Sequence, residues 1–254
     1  MNIIKETVNI AAIGDIHCSG SSRGYLQPLF SEIQEKADIL LVCGDITSYG
    51  LLEEAEIFVQ ALTAIIKIPV VIVLGNHDYE RNKQEEIKEL FVKAGLRVLN
   101  GTTCEIHGVG FAGVKGFGGG FGQLELQPWG ESIVKAFVDE AVKEAIKLEG
   151  ALARLQMDER IVILHYSPVE ETVHGEKPEI YPFLGSSRLE EIINRHKASA
   201  VFHGHAHAGQ AEGKTSTGVP VFNVAMPLLQ RLSPNQQPYR LFSITHSKQP
   251  SQTT

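Results

Sequence analysis

Three short apolar runs, each followed at once by a glycine and a polar residue, restrict this chain more than any other feature. They are VNIAAI (Val8 to Ile13) before Gly14-Asp15, ILLVC (Ile39 to Cys43) before Gly44-Asp45, and VVIVL (Val70 to Leu74) before Gly75-Asn76. Each run is continuous rather than alternating, so both of its faces are apolar, as in a parallel strand covered on both sides. Helical patterns lie between and after them, at Leu26 to Ala37, Leu52 to Ile66 and Asn82 to Ala94. Strands alternating with helices in this way predict an α/β fold.

The second half is less regular. Thr103 to His107 and Val109 to Val114 predict a hairpin turning at His107-Gly108. GFGGGFG (Gly116 to Gly122) predicts a flexible lid or plain surface loop. A long amphipathic helix is expected over Glu131 to Leu155, interrupted near Gly150. Strand, helix and strand follow at Ile161 to Leu164, Ser187 to His196 and Ala200 to Phe202. The last forty residues read as strands, with a turn near Thr217-Gly218, a final strand at Tyr239 to Thr245 and a polar tail from about residue 247 that is expected to fray. No repeat or clean linker divides the 254 residues, so a single domain is expected, with two sheets packed together and helices outside.

In open α/β sheets ligands bind at the carboxyl ends of the strands. Asp15 and His17 follow the first strand, Asp45 the second, and Asn76, His77 and Asp78 the third. His165 follows the strand at 161 to 164, and His203, His205 and His207 follow the strand at 200 to 202. Taken singly, an Asp after Gly is a turn former or a helix cap. Together, five strand ends bring carboxylates, imidazoles and a side-chain amide to one edge. That chemistry suits Mn, Fe or Zn, and the near absence of cysteine argues against a closed structural zinc site. Strand alternation would let Asp15 and His17 point the same way, and likewise His205 and His207. Seven candidates are too many for one ion and suit two.

With these residues in view, the chain resembles the calcineurin-like metallophosphoesterase family. The resemblance is carried by GDIH (14 to 17), GD (44 to 45), GNHD (75 to 78), the histidine of LHYSP (165) and GHAH (204 to 207). It implies a four-layer α/β/β/α sandwich of two mixed sheets flanked by helices. It implies two divalent or mixed-valence metal ions. Asp15, His17 and His207 would hold one, Asn76, His165 and His205 the other, and Asp45 would bridge them. It makes His77 the catalytic histidine, oriented by Asp78, and leaves His203 without a ligand role. The implied reaction is attack on phosphorus by a hydroxide between the ions, with a small phosphoester, a diester first, as substrate. Many relatives carry an Asp where Ser48 stands, so local support of the site is expected to differ here.

Phosphomonoesterase or nuclease activity and a non-catalytic metal-binding scaffold are the alternatives. The full set of ligand positions weighs against the scaffold. A formal net charge of -7 with no Lys/Arg run offers no extended surface for nucleic acid. Three scattered cysteines are not a disulfide framework. Neither a signal peptide nor a run of about 18 apolar residues stands out, so a cytoplasmic location is expected. Substrate choice should lie in Ser19 to Gly24, Gly116 to Gly122 and Glu170 to Gly185. Arg23 is expected to be solvated. Phe117, Phe121 and Trp129 are expected to pack against the core.

Overall fold

The structure, a computed structural model, describes residues 5–245. The first half runs β1 (Thr7–Ile13), α1 (Arg23–Lys36), β2 (Ile39–Cys43), α2 (Leu52–Ile65), β3 (Val70–Val73), α3 (Gln84–Lys93) and the short β4 (Arg97–Val98). The hairpin strands β5 (Thr102–Ile106) and β6 (Val109–Gly113) follow, then α4 (Ser132–Leu152), β7 (Arg160–Ile163), α5 (Tyr181–Leu184) and α6 (Ser187–His196). The chain closes with β8 (Ala200–His203), β9 (Glu212–Lys214), β10 (Pro220–Asn223), α7 (Met226–Leu232) and β11 (Arg240–Thr245).

Two mixed sheets result. The first has the order β11-β1-β2-β3-β4 and the second β5-β6-β7-β8-β10-β9. In the first, β1 to β4 are parallel and β11 lies antiparallel on β1. In the second, β6, β7, β8 and β10 are parallel, with β5 and β9 antiparallel at the edges.

The continuous apolar runs explain the layering. Ile10, Ile39, Leu41, Val71 and Val73 face Phe111, Ile161, Ile163 and Phe202 of the other sheet. Their neighbours Ala11, Leu40, Val42 and Ile72 face outward onto Phe30, Phe58, Leu62 and Phe91 of the first three helices. On the far side Val162 and Val201 pack against Leu148, Leu152, Leu189 and Ile193 of α4 and α6. Three apolar layers between four structural layers give the α/β/β/α sandwich. Full burial of one such side chain contributes about 1.5–3 kcal/mol.

Four expectations need correction. The tail is not all strand: MPLLQRL forms α7, anchored where the Met226 amide donates to the Gly14 carbonyl. Gly150 does not interrupt α4, because the surrounding residues are strong helix formers packed on the second sheet. Gly116 to Gly122 is no flexible lid. The Gly119 and Gly120 amides donate to the carbonyls of Pro182 and Gly185, and Phe121 lies in a small core with Val173, Leu184 and Ala206. Trp129 does not join the core; it is exposed, whereas Phe121 is buried and Phe117 half-buried. The expected polar tail and the side chain of Arg23 lie outside what is described. Among the described residues, no helix is long and apolar enough to cross a membrane.

Candidate metal centre

The carboxyl ends of the parallel strands from both sheets meet at one edge, and the segments leaving them carry Asp15, His17, Asp45, Asn76, His77, Asp78, His165, His205 and His207. Strand alternation is not what aims the side chains, however. Asp15, His17, Asp45 and His205 lie beyond the strands with φ of 56°, 46°, 49° and 70°. A left-handed backbone is costly for residues with a Cβ and persists only where the surroundings impose it. Here the imposing bonds run between strand ends: the Asp15 amide donates to the Gly44 carbonyl and the His17 amide to the Asp45 carbonyl, each at 3.0 Å.

Glycines clear the space. A Cβ on Gly75 would overlap the Asp45 carboxylate, and one on Gly204 would overlap that of Asp15. The recurring glycine before or after each polar residue is therefore a packing requirement of the site.

Asp15 is fully buried. Its two oxygens accept the His205 amide at 3.0 Å, and Oδ1 lies 2.9 Å from His207 Nε2. That contact raises the His207 pKa above its ordinary value. Asp45 sits between two groups. Its Oδ1 accepts the His77 amide at 2.8 Å and lies 3.3 Å from His165 Nε2, while Oδ2 lies 3.9 Å from His17 Nε2 and 4.0 Å from His77 Nε2. Burial alone would raise the Asp45 pKa, but the charge and hydrogen bond of His165, with the His77 amide, hold it well below the carboxylate range.

His165 is fully buried and donates from Nδ1 to the Cys43 carbonyl at 2.9 Å, which turns Nε2 towards Asn76 Oδ1, 2.9 Å away. Burial lowers its pKa, yet the Asp45 charge prevails and lifts it to about 9. His205 lies 3.1 Å from the Phe183 carbonyl through Nε2, which leaves Nδ1 open. Desolvation, then the His165 charge, depresses its pKa to about 4.

Among the described residues, ligand atoms within 4.8 Å of one another form three groups: Asp15, His17 and His207; His17, Asp45 and His77; and Asp45, His165 and His205. The donor set fits divalent ions on this structure's own terms. His17 Nε2 is buried without a hydrogen-bond partner, a costly state for a ring nitrogen unless a cation takes its lone pair. His165 and His205 each place the other ring nitrogen on a backbone carbonyl, the outer support common to metal-binding imidazoles. Nitrogen and oxygen donors without thiolate suit Mn, Fe or Zn. Cys18, beside His17 in sequence, packs into the core of the first sheet, and Cys43, two residues before Asp45, into the core between the sheets.

His77 stands beside the cluster, its ring edge-on to His17 at 4.7 Å between centroids. The expectation that Asp78 orients it is not met. The fully buried Asp78 carboxylate faces away and accepts the amides of Gly75, at 2.8 Å, and Thr47, at 2.9 Å, together with the Thr47 hydroxyl. Burial, with the Asp45 charge, raises its pKa to about 6. His77 Nδ1 instead meets the Ser48 carbonyl at 2.8 Å, and the Ser48 hydroxyl donates to the His17 carbonyl at 2.6 Å. Ser48 supplies the local support that its side chain alone did not promise.

His203 takes no part in the cluster. It is fully buried at the end of β8, with Nδ1 2.8 Å from the Gly204 carbonyl and Nε2 2.8 Å from Thr172 Oγ1. Desolvation lowers its pKa to about 4. Because the folded pKa lies below the ordinary 6.5, the unfolded chain takes the proton first as pH falls. The stability this neutral imidazole confers is complete above about pH 6.5 and is lost towards about pH 4. In chelated protein, this residue alone is expected to cost about 2 kcal/mol between pH 7 and about pH 5. Urea unfolding of wild type and His203→Gln at both pH values measures it; equal pH-dependent losses in the two proteins would refute the assignment.

The sequence model of the calcineurin-like phosphoesterase family matches residues 8–209. No curated protein sequence matches the chain. Among solved structures, a phosphopantetheinyl hydrolase from Mycobacterium tuberculosis superposes with a TM-score of 0.64 at 14% identity, over 92% of this chain and 95% of its own. A Thermus thermophilus protein gives 0.55 at 16%, over 94% and 99%. An anchor protein of the Plasmodium inner membrane complex gives 0.55 at 12%, over 88% and 73%. At such identities the likeness is one of fold.

Proposed function

The chain belongs to the calcineurin-like phosphoesterase family, and from that premise we propose that it is a metal-dependent hydrolase of small phosphoesters, diesters foremost. The observation that carries this reading is the position of Asp45. It lies between the Asp15, His17 and His207 group and the His165 and His205 group, with one oxygen towards each side. Asp15, His17 and His207 would hold one ion and Asn76, His165 and His205 the other, with Asp45 common to both. Divalent ions held there supply positive charge for the phosphoryl oxygens and acidify water.

The chain's own residues supply the rest. His77 has Nδ1 fixed on the Ser48 carbonyl, so Nε2 faces the cluster. From that position Nε2 hands a proton to the departing ester oxygen. The Asp45 contact to the His77 amide fixes the loop that carries the ring. The low-dielectric walls behind His165 and Asp15 strengthen each charge interaction made there. The phosphopantetheinyl hydrolase among the fold neighbours supports a hydrolytic reading of this architecture.

The test is turnover of an aryl phosphodiester and its monoester before chelation, after chelation and after Mn²⁺ is returned. Activity that disappears on chelation and returns with Mn²⁺, greater on the diester, is the expected result. Turnover of the monoester alone would overturn the diester assignment. No turnover of either with bound metal verified would favour a non-catalytic role.

A further inference from the structure

A groove of about 480 Å³ opens directly beside the candidate metal centre, with Asn76 and His205 forming its inner end. That volume falls within the range of small-molecule sites. Its walls are aromatic: Phe117, Phe137, Tyr166 and Phe183, closed by Ile180 and Leu184, with no charged side chain among its lining. The rings form a continuous path outward. Tyr166 lies 4.4 Å from the His205 ring, Phe117 lies 5.7 Å from Tyr166, Phe137 lies 4.8 Å from Phe117, and Phe183 lies 5.8 Å from Phe137.

The inner walls are held from behind. Lys115 Nζ sits over Phe117 at 4.8 Å and over Tyr166 at 5.1 Å, and it donates to the Gly116 carbonyl at 2.8 Å. The packed glycine-rich segment places Phe117 on one side, and the 178–184 segment places Phe183 on the other. Preformed walls of this kind avoid the ordering cost of binding. Phe183, the outermost ring, is 58% exposed. An exposed aromatic edge continuous with a catalytic centre is the surface expected of a binding site rather than of a core.

We propose that this groove seats a planar aromatic group of the phosphoester, esterified to the phosphate bound at the metal centre, so that the protein selects aromatic over small aliphatic esters. The proposal rests on the hydrolase reading for the position of the phosphate. Tilted and edge-on rings make offset and T-shaped contacts with a flat guest. The lack of charged lining disfavours a sugar or a second phosphate there, since their polar groups would lose hydration without replacement.

Binding of phosphonates, which do not hydrolyse, tests this apart from catalysis. Naphthylmethylphosphonate and methylphosphonate present the same headgroup, and calorimetry on Mn²⁺-loaded protein gives both affinities. The naphthylmethyl compound is expected to bind at least about tenfold more tightly, from aromatic stacking. In Phe183→Ala, and in Phe137→Leu, which keeps an apolar side chain, the ratio is expected to fall towards one. Equal affinities in wild type, or weakening of both ligands alike in the variants, would overturn the proposal. Phosphonate binding with the aromatic preference but no ester hydrolysis would sink the hydrolase reading and leave the groove assignment standing. Ester hydrolysis without the preference would sink the groove assignment alone.

Discussion

Asp45→Asn should strip metal from both halves of the centre. The variant exchanges one anionic oxygen for an amide nitrogen and removes the charge that lies between His17 and His165. Loss of an outer-shell partner already weakens metal sites by 10–100-fold as a rule, so removal of a shared charged donor is expected to exceed about 10²-fold for each ion. Metal content measured after gel filtration should fall from two ions per chain towards none, and esterase activity should fall with it. The fold should survive. The carboxylate is buried, but its removal also relieves desolvation, and its Oδ1 contact to the His77 amide is open to the amide oxygen. Retention of one tightly held ion would mean that Asp45 belongs to a single site, and the division of ligands would have to be redrawn.

His77→Ala is expected to act in the opposite manner. The contact between this residue and Asp45 is made by the backbone amide, which alanine retains. The ring reaches only to 4.0 Å of Asp45 and is itself about one-third exposed. Metal content should therefore hold at two per chain while kcat falls by about 10²–10⁴-fold, the usual contribution of a positioned proton donor. The loss should shrink for substrates with acidic leaving groups such as nitrophenol, because they depart without help. Loss of metal and turnover together would make His77 a ligand, the role its proximity to His17 and Asp45 also permits.

The strands were legible because their burial on both faces leaves an unbroken apolar signature. Ile39 to Cys43 is read at its true limits, and the others fall within one or two residues. The convergence of Asp15, Asp45, Asn76, His165 and His205 on one edge follows from parallel strands, which end together. What sequence could not show is how the loops aim those residues. Strand alternation gave the right neighbours for the wrong reason, since the backbone is left-handed at four of them. The supports of the cluster were hidden for a related cause. Cys43, Ser48 and Phe183 act through main-chain carbonyls, which leave no mark on residue identity. Asp78 was misassigned because adjacency to His77 in sequence says nothing of direction in a tight turn. Glycine composition likewise could not distinguish a mobile loop from one pressed against the 182–185 backbone.

The bond from the His205 amide to Asp15 spans 190 residues, and His165 meets the Cys43 carbonyl across 122. Each proposed half of the centre thus takes ligands from both sheets, Asp15 and His17 with His207 in one and Asn76 with His165 and His205 in the other. Contacts of such separation form late, after the intervening chain has collapsed. A dilution-refolding experiment would see metal uptake lag behind the recovery of secondary structure, and metal added to the unfolded chain would find no partial site to occupy. The ion would then act as a final check on assembly: a molecule with both sheets docked offers it a full ligand set.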